Sequence, residues 1–448
     1  MSDQAPATTI IRGATVVTMD AQRGVLRGAD IVIRDGLIAD VVDGTSSEEG
    51  ESIDGTEWIV IPGFVDTHRH TWQSAIRHTY GDVDPLSYFR EVLAGAGTHY
   101  LPQDVYAGTL LGSVSALSAG TTTLLDWAHI QNSPAHADAG IDALRDAGIR
   151  AVYGHGWPLT STGEWTNDSA LRHPRDVERL TRTTAGSPLL HVALAARGPE
   201  MASADVWRDE VALARELGIR ISVHVGAYRH NAAARAVAQY HRAGLLADDM
   251  TFVHCSNTST DELSMIADAG ATVSLGVHCE LNAMGIGDIP LDRLLSVGIR
   301  PSLSGDTETK CSGDMFTQMR ALFGYYRSWV GGGHSGVPGP HELTLHDVLE
   351  FATLRGAHAV GLGHHIGSIT PGKAADLVCI RATDLNIAPV SDPVATVVLG
   401  AHEGNVDTVF VAGRRMKSGG RMLHADAGRI VDAARTSQNR LASLGVGR

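Results

Sequence analysis

The chain has 448 residues, 43% of them hydrophobic and 19% charged, with a formal net charge of −14. This composition argues against a disordered chain. The acidic balance, without any Lys/Arg run, argues against a nucleic-acid partner and mainly serves solubility. The four cysteines, Cys255, Cys279, Cys311 and Cys379, are scattered and include no C-x-x-C pair. That argues against a disulfide framework, a zinc ribbon and the deaminases built on H-x-E and P-C-x-x-C.

Met1 to Thr9 is polar, without the apolar core of a signal peptide, and no apolar run of about 18 residues occurs. The expectation is a cytoplasmic protein with no membrane partner. Thr9 to about Val60 is rich in short β-type runs: Ile10–Val17, Ala29–Ile33 and Leu37–Val42, with Asp35-Gly36 as a hairpin turn. From Trp58 to about Gly363 eight apolar, β-branched runs alternate with stretches long enough for helices. They are Trp58–Val65, Thr121–Asp126, Ala151–His155, Leu189–Ala195, Arg220–His224, Thr251–His254, Ala271–Leu275 and Ile299–Ser304. Several follow an Ala-Gly or Leu-Gly pair (Ala147-Gly148, Leu217-Gly218, Ala269-Gly270), as where a helix ends on a left-handed glycine.

Eight such units predict an α/β fold, a closed TIM (β/α)8 barrel; the phosphate-binding glycine fingerprint of a doubly wound sheet is missing. Beyond Gly363 the runs Ala375–Ile380, Val394–Leu399 and Val406–Val411 read as strands, and the Ala- and Arg-rich tail from Ala425 as a helix. The predicted organisation is residues 1–60 and 364–424 as two parts of one small β-sandwich, 61–363 as the barrel and 425–448 as a helical tail.

Barrel active sites lie at the C-terminal ends of the strands. The first run leads into His68 and His70, an H-x-H whose two side chains share one strand face. With 22 histidines in the chain, about one such motif arises by chance, so its position carries the weight. His224 ends the fifth run, His254 the sixth, and Asp306 follows the eighth. Imidazole and carboxylate converging there predict a shared divalent metal: Zn²⁺, Fe²⁺, Mn²⁺ or Co²⁺. Such an ion makes water a nucleophile near neutral pH. Asp306 is then also the candidate base for the attacking water, and His254 the group that bonds the attacked atom.

The whole chain resembles the amidohydrolase superfamily, in the branch of cytosine deaminase and atrazine chlorohydrolase. The resemblance rests on Pro62-Gly63-Phe64-Val65-Asp66-Thr67-His68-Arg69-His70, Gly120-Thr121-Thr122-Thr123, Val253-His254-Cys255, Gly305-Asp306-Thr307 and Gly372-Lys373-Ala374-Ala375-Asp376-Leu377-Val378. It implies a split β-sandwich beside the barrel. It also implies that His68, His70, His224 and Asp306 are metal ligands, that His254 contacts substrate or water, and that Gln73 faces the substrate. Members with two metals usually draw a bridging lysine from strand four; none lies in Leu189–Ala195, which favours one metal, zinc first.

Deaminases of this branch carry H-x-x-E on strand five, and that position here is Ala227. Glu280 and His278, after strand seven, are candidate replacements, with a loop-lining role as the alternative. Segment Gly313–Arg320 resembles a subgroup that includes thiocarbamate (molinate) hydrolase. Trp127 and His155, at the ends of strands two and three, are further candidate substrate contacts. These features predict a hydrolase that cleaves a non-peptide C–N bond of a small molecule, of amide, carbamate or thiocarbamate type. The alternatives are a deaminase or dechlorinase of an N-heteroaromatic ring and, from another class, a catalytically silent ligand-binding relative. A homo-oligomer is expected by analogy.

Overall fold

The computed structural model of the protein describes residues 8–82, 88–283, 285–331, 333 and 343–445. The first seven residues of the polar N-terminus and the last three of the tail lie outside the described residues. Five strands come first: β1 (Thr8–Val17), β2 (Val25–Arg34), β3 (Leu37–Val42), β4 (Glu51–Asp54) and β5 (Trp58–Pro62). Asp35 and Gly36 turn β2 into β3 with φ of +51° and +80°, the left-handed pair that suits a tight hairpin.

Eight parallel strands then follow in strict sequential order. They are β6 (Phe64–Arg69), β7 (Thr121–Ala128), β8 (Arg150–His155), β9 (Leu190–Ala196), β10 (Arg220–Val225), β11 (Met250–His254), β12 (Thr272–Leu275) and β13 (Ser302–Leu303). The ring closes where Arg69 bridges Asp306 in parallel register, and where the Thr67 hydroxyl meets those of Ser302 and Ser274 at 2.9 and 2.7 Å. Gly148, Gly218 and Gly270 take the left-handed positions expected of them, with φ between 66° and 69°.

Four more strands, β14 (Leu377–Arg381), β15 (Val406–Val411), β16 (Arg414–Ser418) and β17 (Arg421–Met422), join the first five in one nine-stranded sheet. β5 and β14 pair antiparallel at its centre, so the two chain ends meet there. Val41 of β3 and Phe410 of β15 share one buried cluster although four strands lie between theirs; the sheet therefore curls over its own core, as the sandwich expectation requires. Arg150 at the base of β8 clamps Asp376 of this sheet through two bonds of 2.8 and 3.0 Å.

Two expectations are corrected. The run Trp58–Val65 is not one barrel strand: Trp58–Pro62 belongs to the sheet, and the barrel begins at Phe64. Pro62 and Gly63 make the break, and a Cβ on Gly63 would stand 1.9 Å from the Thr122 hydroxyl. The run Val394–Leu399 is helical, as a turn over Pro393–Ala395 and a wider one over Thr396–Gly400. Asp392 caps it by accepting from the N–H groups of Val394 and Ala395 at 2.8 and 3.1 Å, and Pro393 opens the first turn. The tail forms the expected helix over Ala427–Ser443.

Candidate metal centre and active site

The pairing of β6 with β7 slips between Asp66 and Arg69, and this bulge lies where the strand reaches His68 and His70. Asp306 arrives from the other side of the closure. Its N–H donates to the His68 carbonyl at 2.9 Å, and its own carbonyl accepts from the His70 N–H at 2.8 Å. It holds φ at +51°, and His254 and Cys255 hold +73° and +57°. Such backbone costs a non-glycine residue on the order of 1–3 kcal/mol each and persists where the surroundings enforce it. Beneath, fully buried Arg69 pairs with Asp66 and Glu308, both at 3.1 Å, and donates to the Gly313 carbonyl at 2.7 Å. The loop that carries Asp306 is thus tied to β6 on both flanks.

The donor set fits a cation. Asp306 Oδ1 lies 3.5 Å from both His68 Nε2 and His70 Nε2, and Oδ2 lies 4.0 Å from His254 Nε2. Ligand atoms about 2.1 Å from one tetrahedral ion stand about 3.4 Å apart. His68, His224 and His254 bring ring nitrogens within 4.8 Å of one another, as do His68, His70 and Asp306 with their ligand atoms. Both ring nitrogens of His68 are buried without a hydrogen-bond partner. An orphaned buried donor or acceptor costs about 1–3 kcal/mol, which an ion would relieve. His70 Nδ1 stands 2.9 Å from the Trp127 carbonyl; it must donate there, which leaves the Nε2 lone pair for a metal.

The charge states agree. Burial pulls His68 below the ordinary histidine value, and burial with neighbouring histidines pulls His70 and His224 well below it, so all three are neutral, as ligands must be. Burial works to raise Asp306, but His68, His254 and His70 hold it well below the usual carboxylate range. For His254 burial works downward, yet Glu280 and Asp306 carry it above the ordinary value.

The other expected residues separate into three groups. Glu280 stands behind His254: its Oε1 lies 3.1 Å from His254 Nδ1 and accepts the Gly276 N–H at 3.0 Å. Trp127 is fully buried and lies under the cluster, its ring 4.3 Å from that of His224 and its Nε1–H bonded to Ser222 Oγ at 3.1 Å. It packs against the rings of His68 and His224. Gln73 is also fully buried; its Nε2 donates to the Tyr88 hydroxyl at 2.9 Å and its Oε1 accepts from Thr307 at 2.5 Å.

His155 is not brought to the cluster. Its Nδ1 meets His173 Nε2 at 3.0 Å, and His173 leads on to Glu210 and Arg197. The reason is alternation along β8: Gly154 abuts β7 at Leu125 and Trp127, and its neighbours Tyr153 and His155 take the other face. His278 accepts the Ser312 N–H at Nδ1, 3.1 Å away, which leaves Nε2 as its donor; half-buried, it braces the segment after Asp306.

Three residues near the cluster escaped the sequence reading. His129 packs on His70 at 4.4 Å between ring centroids. Tyr88 and Tyr228 lie close enough to Asp306 for its charge to act on both phenols. Tyr228 follows Ala227 directly, so the H-x-x-E comparison pointed one residue short of it.

This is the architecture of a metal-dependent hydrolase barrel, and comparison with known proteins gives the family. Residues 59–416 match the Amidohydrolase family, and the chain belongs to it. It is 28% identical over 403 residues to 5'-deoxyadenosine deaminase of Methanothermobacter thermautotrophicus, covering 87% of this chain and 90% of that protein. It is 26% identical over 414 residues to 5-methylthioadenosine/S-adenosylhomocysteine deaminase of Pyrococcus furiosus, covering 90% and 94%.

An adenosine deaminase from Xanthomonas campestris with bound zinc superposes with a TM-score of 0.85 at 21% identity, over 97% of this chain and 98% of that one. Atrazine chlorohydrolase from Arthrobacter aurescens complexed with zinc gives 0.82 at 22%, over 96% and 100%. These two show the shared fold. The chain is an enzyme, a hydrolase of carbon–nitrogen bonds other than peptide bonds. No helix among the described residues is long and apolar enough to cross a membrane.

Proposed function

We propose that the protein holds one divalent ion, zinc first, through His68, His70, His224 and Asp306, and hydrolyses an amide-, carbamate- or thiocarbamate-type C–N bond of a small molecule. The observation that carries the metal is the 3.5 Å spacing of Asp306 Oδ1 from two imidazole Nε2 atoms whose rings are held neutral. A divalent ion there lowers the pKa of water toward neutrality. Asp306, a carboxylate turned toward His254, takes the proton of the attacking water. His254, with the Glu280 carboxylate behind its Nδ1, presents Nε2–H to the heteroatom on which charge develops. Glu280 acts through His254 as a positioning residue, since its bonds go to His254 and Gly276.

Position 227 is alanine, so a carboxylic acid for protonating a ring nitrogen is missing where deaminases of the branch keep one; this favours a carbonyl-type substrate. Deamination of an aminated ring is the second reading, favoured by the named activity of the two deaminases above. Four free, buried cysteines suit the reducing cytoplasm. Metal-replete protein is to be incubated with amides, carbamates, thiocarbamates, aminopurines, aminopyrimidines and triazines, with products read by mass. Fragmentation into two products supports the first reading, and exchange of a ring amino group for oxygen supports the second. Turnover that Asp306→Asn leaves unchanged overturns both.

A further inference from the structure

A one-way chain of hydrogen bonds ends in the site. The backbone N–H of Thr309 donates to Thr307 Oγ at 3.1 Å, and the two hydroxyls lie 2.7 Å apart. The Thr307 hydroxyl hydrogen goes to Gln73 Oε1 at 2.5 Å. Thr309 must therefore be the donor between the hydroxyls, since a hydroxyl has one hydrogen to give. An amide that accepts at Oε1 offers Nε2–H at its other end, and this hydrogen goes to the Tyr88 hydroxyl at 2.9 Å. Each link fixes the direction of the next, as far as the phenol. The phenol receives a bond from Gln73 and keeps its own O–H, for which the described residues supply no acceptor.

The place where the chain ends is the site. Asp306, Tyr228 and Cys279 lie close enough to act electrostatically on Tyr88, and Lys310 Nζ sits 4.8 Å from the centre of its ring. Gln73, Thr307 and Thr309 are buried at 0%, 2% and 0% exposure, so water does not compete for the chain. Its origin is the loop of Asp306 itself, two residues of which are Thr307 and Thr309.

We propose that Tyr88 is a substrate-binding hydrogen-bond donor, aimed by Thr309, Thr307 and Gln73 at the heteroatom on the attacked carbon, in place of the acid missing at position 227. This inference rests on the hydrolase reading of the same site. It specifies the substrate class further. A phenol shares its hydrogen without surrendering it at neutral pH, so the group it serves gains negative charge without needing to be fully protonated; a carbonyl oxygen meets that requirement and a basic ring nitrogen does not. Burial first, and then the charge of Asp306, pushes this phenol well above the ordinary tyrosine value, which keeps the hydrogen in place.

The test uses zinc-loaded protein and methylphosphonate, a tetrahedral anion resembling the state the donor is argued to serve, with binding read by calorimetry. Tyr88→Phe removes one hydroxyl and keeps the ring under Lys310. Loss of one preorganised donor of this kind costs about 10²- to 10³-fold in rate. The expected result is a Kd raised at least tenfold with unchanged zinc content and Tm. Thr307→Val, which frees the Gln73 amide to turn over, is expected to raise Kd by a smaller factor while leaving Tyr88 present. A zinc-loaded wild type that does not bind methylphosphonate, or a Tyr88→Phe variant within twofold of it, overturns the proposal and leaves the hydrolase reading standing. A wild-type chain that takes up no zinc overturns that reading first.

Discussion

Two buried histidine clusters lie near the C-terminal ends of the barrel strands. In one, His68, His70, His224 and His254 surround Asp306, whose carboxylate oxygens lie 3.5 to 4.0 Å from the Nε2 atoms of His68, His70 and His254. In the other, His155 and His173 adjoin Glu210, but Arg197 is present too, donating Nε–H to Glu210 at 2.8 Å and its backbone N–H at 3.1 Å. The same residue types give opposite outcomes because the second cluster has its own cation. A buried carboxylate needs a positive partner. Where the chain supplies a guanidinium the site is closed, and where it supplies three imidazoles held neutral beside the carboxylate there is room for the proposed ion.

The largest expected effect separates the two most sharply. Asp306→Asn keeps shape and loses charge, removing both the proposed ligand and the proposed base. Turnover should fall by about 10³-fold or more, with a parallel loss of bound metal by elemental analysis. Arg197→Met is the matching change in the other cluster. It strands Glu210 beside His173 in a fully buried setting and should cost about 3–5 kcal/mol of stability by denaturant titration, with the metal retained. Loss of metal in the second variant, at a temperature where it is still folded, breaks the comparison.

Chelation tests the first cluster from the ligand's side. An ion at about 1,000 times its Kd contributes about 4 kcal/mol to the folded state. At about 2–4 °C of Tm per kcal/mol for larger domains, stripping it should lower Tm by about 10 °C. A chain whose Tm ignores chelator and added zinc alike contradicts the idea that an ion takes up an orphaned nitrogen of His68.

The contrast also explains what could be seen in the sequence. The clustered residues were legible because each sits at or just past the end of an apolar strand run, where barrel geometry leaves one destination. His155 met the same criterion and went elsewhere: strand alternation sent it to the face away from the lumen, and the runs did not reveal which face was which. Trp127 also ended a strand, but its ring lies under the cluster. Val394–Leu399 looked like a strand because three of its residues are valines, and the cap at Asp392 with Pro393 decided for a helix. Tyr88 was not legible, since it lies beyond the helical turn after His70 and only the fold carries it back to Gln73.

Glu280 gives a graded, intermediate effect. Glutamine can still accept from His254 Nδ1–H and from Gly276, so Glu280→Gln removes the charge alone and should lower kcat about tenfold. Alanine also removes the bond and should lower it about 100-fold, with KM nearly unchanged in both. Equal losses in the two variants would make charge the whole contribution, and a loss confined to KM would argue against the positioning role of Glu280.

The smallest expected effect lies in the second cluster, at His155. Its Nδ1 bonds to His173, and the ring is buried apart from the Asp306 cluster. His155→Asn keeps a polar group near His173 and should change kcat/KM by less than about threefold, while costing about 1–2 kcal/mol through the shortened side chain and altered bond. Its ring is held well below the ordinary histidine value by burial, then by His173 and Arg179, so folding keeps it neutral. A group whose folded pKa is depressed in this way disfavours folding as pH drops through the unfolded histidine value near 6.5, because the unfolded chain takes up the proton first. The wild type should therefore lose more stability than the variant between about pH 7 and 5. If His155→Asn instead lowered kcat/KM by two orders of magnitude at unchanged Tm, the second cluster would be reaching the chemistry, and the division between a closed site and an open one would fail.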